Sequence, residues 1–372
     1  MTRHRVVIDA SNVFGGGGAQ AAASFVDELH GMRESTEHVR RYPWLEDVDV
    51  RVSSAVLDNL HRPRTTYVRS ERAPRPWSRR RTGGDFADVV FEVFGPVYRA
   101  IPGRRRITGF ADGTSVLPEH ANARGARART RLAVRSRVSR FCFRRADRLV
   151  VESPFMAGVL ARRWGWSPAS ITTVPNVLNS GFVRSLDLPA APEVPQDVPT
   201  FCYITRAYPH KNLEVLGPAA EHLRRRWDVD VKWVLTLTAA EFAALSTSTR
   251  RASINVGPVA VDQLGSIYRA CTGTVFTSLL ETFSVTPLEA MAAGSSLVAS
   301  DRDFVRDVAG EAAFYVDPLS PESVAAGVNA VLEDADRRAR RQEFGLRTME
   351  RWPDARARAV AYADLIDAEL HT

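Results

Sequence analysis

The sequence predicts an α/β protein built from two Rossmann-like domains, and three observations carry that expectation. Short apolar, β-rich runs alternate along the chain with segments of helical periodicity, the βαβ rhythm of parallel sheets. The chain has 372 residues, too many for one ordinary core, so two domains are expected. Residues 274–300 display the whole unit at once. Residues 274–277 read as a strand, Val285, Leu288 and Ala292 recur at helical spacing, Gly294 ends that helix, and residues 296–300 read as the next strand.

The other elements follow in order. Residues 5–10 (Val6, Val7, Ile8) read as a buried first strand running into a loop with glycines at 15–18. Residues 19–29 follow as a helix with an apolar stripe at Ala22, Phe25, Val26 and Leu29. Residues 48–57 suggest a second strand, and 61–84, rich in Arg, Pro and Gly, a long loop. Residues 88–94 and 106–110 are strand-like. Residues 124–148 carry ten arginines against one acid, Asp147; Val134, Val138, Phe141 and Cys142 at helical spacing predict a basic amphipathic helix, whose apolar stripe packs on the sheet in the plain reading. A strand at 149–152, a helix at 154–164 begun by Pro and ended by Arg162 and Arg163, and a strand at 171–174 come next. Residues 184–199, rich in Pro, Asp and Ala, are the expected interdomain linker.

Beyond it, strands are expected at 200–205, 230–237 and 254–256, and helices from Ala239, at 261–270, at 321–332 and at 352–370. Gly217-Pro218 should kink or stop the helix after Lys211. The expected domains are 1–185 and 198–351, followed by the terminal helix 352–372.

Composition narrows the function. Apolar content of 45% and charged content of 25% suit a soluble globular protein. No run approaches the ~20 apolar residues of a membrane helix, and no signal-like segment opens the chain, so a cytoplasmic protein is expected. Cys142, Cys202 and Cys271 are odd in number, far apart and set in apolar surroundings, which predicts buried thiols rather than a disulfide or metal site. The formal charge of +7 favours anionic partners.

The stretch after residue 277 points to chemistry. A helix beginning near Phe283 or Ser284 presents unpaired N–H groups and partial positive charge to an anion. Glu281 just before it and Glu289 within it would repel a phosphate unless each has another task, and carboxylates accept well from paired sugar hydroxyls. The stretch therefore reads as a nucleotide-sugar site: diphosphate on the amides of Thr282, Phe283 and Ser284, ribose hydroxyls on Glu289, and the transferred sugar on Glu281. By spacing alone the plainer reading is an acidic first turn that complements the dipole. Arg206 and Lys211 follow the strand at 200–205 and could neutralise a departing diphosphate, or be ordinary surface cations. Asp112 and His120 lie beyond a strand end, where ligands bind in open sheets; a turn aspartate before Gly113 and a loop histidine are the plain readings.

Glu281 and Glu289, followed by Val298-Ala-Ser-Asp301, resemble the Glu-x7-Glu signature of retaining glycosyltransferases of family 4, which have the GT-B architecture. Ile204-Thr-Arg206-Ala-Tyr-Pro-His-Lys211-Asn-Leu is similar to that family's diphosphate-binding segment. Ala146-Asp-Arg-Leu-Val-Val-Glu-Ser153 and Val174-Pro-Asn176 resemble its last N-domain strands. Together these cover about two thirds of the chain. The resemblance implies two βαβ domains facing across a cleft, with a terminal helix crossing back to the first. It implies Gly16 and Gly17 near the donor diphosphate, and Gly257 and Val259 near the nucleobase. It also implies front-face transfer from a nucleoside-diphosphate sugar to a saccharide or lipid-linked acceptor; no metal-ligand cluster appears in the sequence, so no metal is expected. A flexible surface loop is the plain reading of the glycine run. Contact of the arginine helix with an anionic membrane, and a solvated face, both stay open. The rivals are a nucleotide-sugar epimerase of the same fold, a nucleic-acid-binding protein and an inactive scaffold.

Overall fold

The computed structural model describes the chain except residues 1–3, 62–67, 71–85, 97–100, 121–124 and 192. It divides into two compact units. The first holds Met1–Pro118, Gly125–Val177 and Pro353–Thr372; the second holds Glu119–Arg124 and Leu178–Trp352.

The first unit is built on a sheet of seven parallel strands: β1 (Val6–Ala10), β2 (Asp49–Val52), β3 (Val68–Ser70), β4 (Ala87–Glu92), β5 (Gly103–Gly109), β6 (Arg148–Val151) and β7 (Ile171–Thr173). Their order is β3-β2-β1-β4-β5-β6-β7, so the winding reverses between β1 and β4. Strand β1 is buried on both faces, which is why it reads as a continuous apolar run rather than an alternating one. The helix Gly16–Glu34 buries the anticipated stripe of Ala22, Phe25, Val26 and Leu29. It begins at Gly16, three residues earlier than its helix-forming composition suggested.

The terminal helix Ala355–Leu370 belongs to this unit. Its Tyr362 ring lies 5.0 Å from Phe25 and 5.1 Å from Phe91, an aromatic cluster linking two helices to β4. Its polar ends are anchored too. Arg358, buried, donates to Asn176 Oδ1, Ala21 O and Ser24 Oγ. Glu369, 1% exposed, accepts from Arg105 and from Arg148 Nε at 2.6 Å. Burial opposes ionisation of Glu369, but Arg148 and Arg105 outweigh it and hold the carboxyl below its ordinary range.

Several expectations shift. The strand foreseen at 48–57 stops at Val52, because Ser53 Oγ accepts from Val56 N at 3.2 Å and caps the short helix Ser54–Leu57. Within the loop foreseen at 61–84, residues 68–70 form β3; most of the rest lies outside the described residues. The helix Ala126–Phe143 exists, but its faces are reversed. Ser139, Cys142 and Phe143 are buried, whereas Val134, Val138 and Phe141 are exposed. Polar anchoring overrides the apolar stripe: Ser136 Oγ donates to Ser115 O, Ser139 Oγ and Arg135 reach Asp112, and Arg140 donates to Trp164 O.

The second unit has six parallel strands: β8 (Thr200–Tyr203), β9 (Lys232–Leu235), β10 (Ser253–Asn255), β11 (Gly273–Phe276), β12 (Ser296–Ser300) and β13 (Ala313–Val316). They run in the order β10-β9-β8-β11-β12-β13, the doubly wound Rossmann order with its reversal between β8 and β11. Residues 184–199 lie within this unit instead of linking the two. Ser185 Oγ accepts from Gly265 N at 2.8 Å, and Ala191 N donates to Ser266 O. A Cβ on Gly265 would lie 2.2 Å from Ser185 O, so only glycine permits this approach.

Gly217-Pro218 neither kinks nor stops its helix. Leu216–Trp227 begins there, and the missing proline N–H costs little in a first turn. Strand β13 and the helix Ala335–Glu350, neither of them among the elements expected from the sequence, complete the unit. Replacing Glu369 by Ala leaves two arginines facing a buried gap. The expected loss is about 3 kcal/mol of stability, measured by urea unfolding; an unchanged midpoint would show that the terminal helix is held by its apolar face alone.

Candidate functional site

Open parallel sheets bind ligands beyond the strand carboxyl ends, where the strand order reverses. In the second unit that point lies between β8 and β11. The loop leaving β8 carries Arg206 and Lys211, and the loop leaving β11 carries Glu281. The backbone stitches the two together. Leu279 N donates to His210 O at 2.7 Å, Ser278 Oγ to the same carbonyl at 3.3 Å, and Thr277 Oγ1 to Lys211 O at 3.2 Å. From beneath, the buried Tyr203 donates its hydroxyl to Lys211 O at 3.0 Å.

This scaffold brings Lys211 and Glu281 into contact, with Nζ 2.5 Å from Oε1 and both side chains 14% exposed. Ser278 Oγ donates to the same Glu281 oxygen at 2.7 Å. His210 Nε2 is 3.9 Å away. Burial lowers the His210 pKa, Lys211 lowers it further and Glu281 only partly opposes them, so the imidazole is neutral at pH 7. The exposed Tyr208 ring stacks on His210, with centroids 5.7 Å apart and planes within 9°.

Arg206 is engaged elsewhere. Its Nε donates to both oxygens of Glu241, at 2.9 and 3.0 Å. Glu241 closes a capping box with Thr238 at the start of the helix Ala239–Ala243. Burial raises its pKa, but the Arg206 bond and the N–H groups of Thr238 and Ala207 prevail and hold it at about 2.

The helix after β11 runs Val285–Ala292. Pro287 lies in its first turn, and Ser284 stands at the N-cap without accepting a first-turn N–H. Its end is a Schellman closure: Gly294 has φ 64°, Gly294 N donates to Met291 O, and Ser295 N to Ala290 O. Thr282, Phe283 and Ser284 are buried, and the Phe283 ring lies 6.2 Å from Trp352, so any ligand contact at Phe283 falls to its backbone. Glu289 is 6% exposed and accepts from Tyr268 OH at 2.8 Å. Burial raises its pKa to about 7, with Tyr268 and Lys211 pulling the other way.

Gly257, at φ 80°, and the half-buried Val259 occupy the loop after β10, which Asn255 pins by exchanging two hydrogen bonds with the Leu237 backbone. In the first unit, Gly16 and Gly17 open a helix that has no side-chain cap, and a Cβ on Gly17 would touch nothing within 4 Å. Asp112 is not an open carboxylate. It accepts from Thr114, Ser115, Arg135 and Ser139 and so ties the helix Ala126–Phe143 to the turn beside it. His120 ends the short turn Pro118–His120, and its side chain lies outside the described residues.

Tyr268, Ser278 and Glu241 were not singled out in the sequence. Only the Thr238-x-x-Glu241 capping pattern carried a local signal. Among the described residues, no three His, Cys, Asp or Glu side chains are grouped to hold a metal ion.

Two doubly wound parallel units define a GT-B glycosyltransferase fold. Comparison with solved structures agrees. Sucrose-phosphate synthase from Thermosynechococcus elongatus superimposes with a TM-score of 0.70 at 16% identity, over 98% of each chain. Anabaena Alr3699/HepE, solved with UDP and glucose, gives 0.69 at 14% identity, over 98% of this chain and 100% of the other. Residues 187–347 match the family described as "Glycosyl transferases group 1". D-inositol 3-phosphate glycosyltransferase of Acidothermus cellulolyticus is 27% identical over 208 residues, 50% of this chain and 46% of the relative. The chain spans less than half the length of the curated relatives it matches.

With a folded-state pKa raised to about 7, Glu289 holds a proton in the native protein that the unfolded chain releases near the ordinary carboxylate value. Its contribution is therefore present at low pH and lost as pH rises toward about 7. Replacing Glu289 by Gln should raise the stability of the ligand-free protein by about 1–3 kcal/mol at pH ~8 and change it little at pH ~5. Paired melting curves at the two pH values check this; an equal effect at both would remove the raised pKa.

Proposed function

We propose that this protein is a retaining glycosyltransferase of family 4, moving a sugar from a nucleoside-diphosphate donor to an acceptor hydroxyl. One observation carries the reading. At the switch point of the second sheet, Lys211 from the loop after β8 pairs with Glu281 in the loop after β11, which leads to a helix N-terminus with no side-chain cap. The match of residues 187–347 to glycosyl transferases group 1 supports it, as does a fold neighbour solved with UDP and glucose.

In this reading the diphosphate lies on the amides of Thr282, Phe283 and Ser284. Glu289, oriented by Tyr268, takes the ribose hydroxyls, and Glu281 takes a hydroxyl of the transferred sugar. Gly257 and Val259 meet the nucleobase. Transfer proceeds on one face: the acceptor oxygen attacks the anomeric carbon as its bond to the phosphate oxygen breaks, and that oxygen receives the acceptor proton. Lys211 and the helix amides stabilise the negative charge growing on the diphosphate, a task that Arg206 joins by leaving Glu241. No metal is assigned to this chemistry. The acceptor is a lipid-linked or growing saccharide of a bacterial surface glycoconjugate, reached at the inner face of the membrane.

Ribose hydroxyls donate to the ionised form of Glu289, so donor affinity should rise with pH up to about 7 and then level. A melting-temperature panel of UDP-, GDP- and ADP-sugars identifies the donor, since a ligand that binds only the native state raises stability with its saturation. A panel without any shift would overturn the reading. Incubation with the donor alone separates transfer from epimerisation, because an epimerase would convert the sugar. With D-inositol 3-phosphate and lipid-linked saccharides as trial acceptors, Lys211→Ala should lower turnover by about a hundredfold or more; full activity would remove Lys211 from the mechanism.

A further inference from the structure

The helix Ala126–Phe143 of the first unit is turned the wrong way round for a packing helix. Its apolar residues Val134, Val138 and Phe141 are 54%, 37% and 64% exposed, while its buried residues are Ser139, Cys142 and, at its last turn, Phe143. The three recur at i, i+4 and i+7 and form a ridge. Arg127 and Arg131 continue the ridge toward the N-terminus and Arg145 toward the C-terminus, where its guanidinium lies 5.3 Å from the centre of the Phe141 ring.

The charge around this ridge has one sign. Residues 125–146 hold eight arginines and no acid. Arg135 and Arg140 are used internally, on Asp112 and on Trp164 O. Arg127, Arg129, Arg131, Arg137 and Arg144 are exposed and have no ion-pair partner among the described residues. The underside is locked by Ser136, Ser139 and Arg135, so the helix cannot roll over to bury the ridge without breaking those bonds.

A rigid ridge of two valines and a phenylalanine among unpaired arginines fits a surface that is anionic outside and apolar just beneath. We propose that this ridge is the membrane-docking element of the protein: the helix lies flat on an anionic bilayer, Val134, Val138 and Phe141 enter the headgroup–acyl boundary, and the arginines pair with lipid phosphates. A nucleic acid would use the same charge but would leave the apolar ridge in water, and the one exposed aromatic of the helix is not repeated along it as base stacking requires. The inference rests on the membrane-facing acceptor proposed above for its purpose only, because docking needs neither donor nor acceptor.

The test is co-sedimentation of the full chain with vesicles of mixed phosphatidylglycerol and phosphatidylcholine, against vesicles of pure phosphatidylcholine. Binding should require the anionic lipid and weaken with salt. The triple substitution V134S/V138S/F141S should weaken it about tenfold or more, and R127E or R131E about fivefold or more each. All these positions are exposed, and the melting temperature of each variant verifies folding. The response to nucleotide sugars should be unchanged in every variant, so a failure of donor binding counts against the enzymatic reading and not against docking. Equal binding to neutral vesicles, an unaffected triple variant, or an oligonucleotide that binds and displaces the vesicles would each overturn the proposal.

Discussion

The candidate site depends on a close approach of three neighbouring strands. Strand β11 lies between β8 and β12, and its first residue, Gly273, sits where a Cβ would fall 2.7 Å from the Phe201 ring and 2.8 Å from Ser296 O. Only glycine lets β11 enter at that depth. From this register the two loops leave side by side, their backbones and hydroxyls bond directly, and Lys211 meets Glu281 with no long excursion by either side chain. A shift of one residue would turn every side chain of β11 to the other face and separate the loops.

Three carboxylates within the second unit then acquire three characters from their surroundings. Glu241 is held at about 2, because the Arg206 guanidinium and backbone N–H groups outweigh its burial. Glu281 is shared between an ammonium and a serine hydroxyl. Glu289, which is buried, accepts from a tyrosine hydroxyl, and desolvation outweighs that bond and Lys211 and raises it to about 7. The same residue type therefore serves as a clamp, a charged partner and a group that titrates near neutrality.

The first unit solves a different problem. Its terminal helix is fastened at both ends by buried charge, Arg358 at one and Glu369 at the other, with an aromatic cluster between. The helix Ala126–Phe143 is fastened by polar bonds along its length and by Phe143 against Phe110 and Trp164 at its end, and leaves Val134, Val138 and Phe141 outside. Burying its ridge would recover hydrophobic free energy but would break the bonds of Arg135 and Ser139 to Asp112 and of Ser136 to Ser115 O, which offsets that gain.

Local periodicity and residue chemistry determined most of the architecture. The apolar runs of β1, β11 and β12, the stripe of Gly16–Glu34, Pro154 opening its helix and Gly294 closing another are dictated by backbone preferences that act within a few residues. The Glu281 and Glu289 spacing and the Arg206 to Lys211 segment were likewise readable, because each lies within one strand-loop-helix unit whose local pattern marks a strand end and a helix start. Tertiary structure alone decided the partners. That Arg206 turns to Glu241, that Tyr268 supports Glu289, that Asp112 is consumed by a neighbouring helix and that Val134, Val138 and Phe141 face outward all follow from contacts between residues distant in sequence. Helical spacing says which side chains share a face; whether that face turns inward is set by the free energy of everything packed against it, which no local pattern contains.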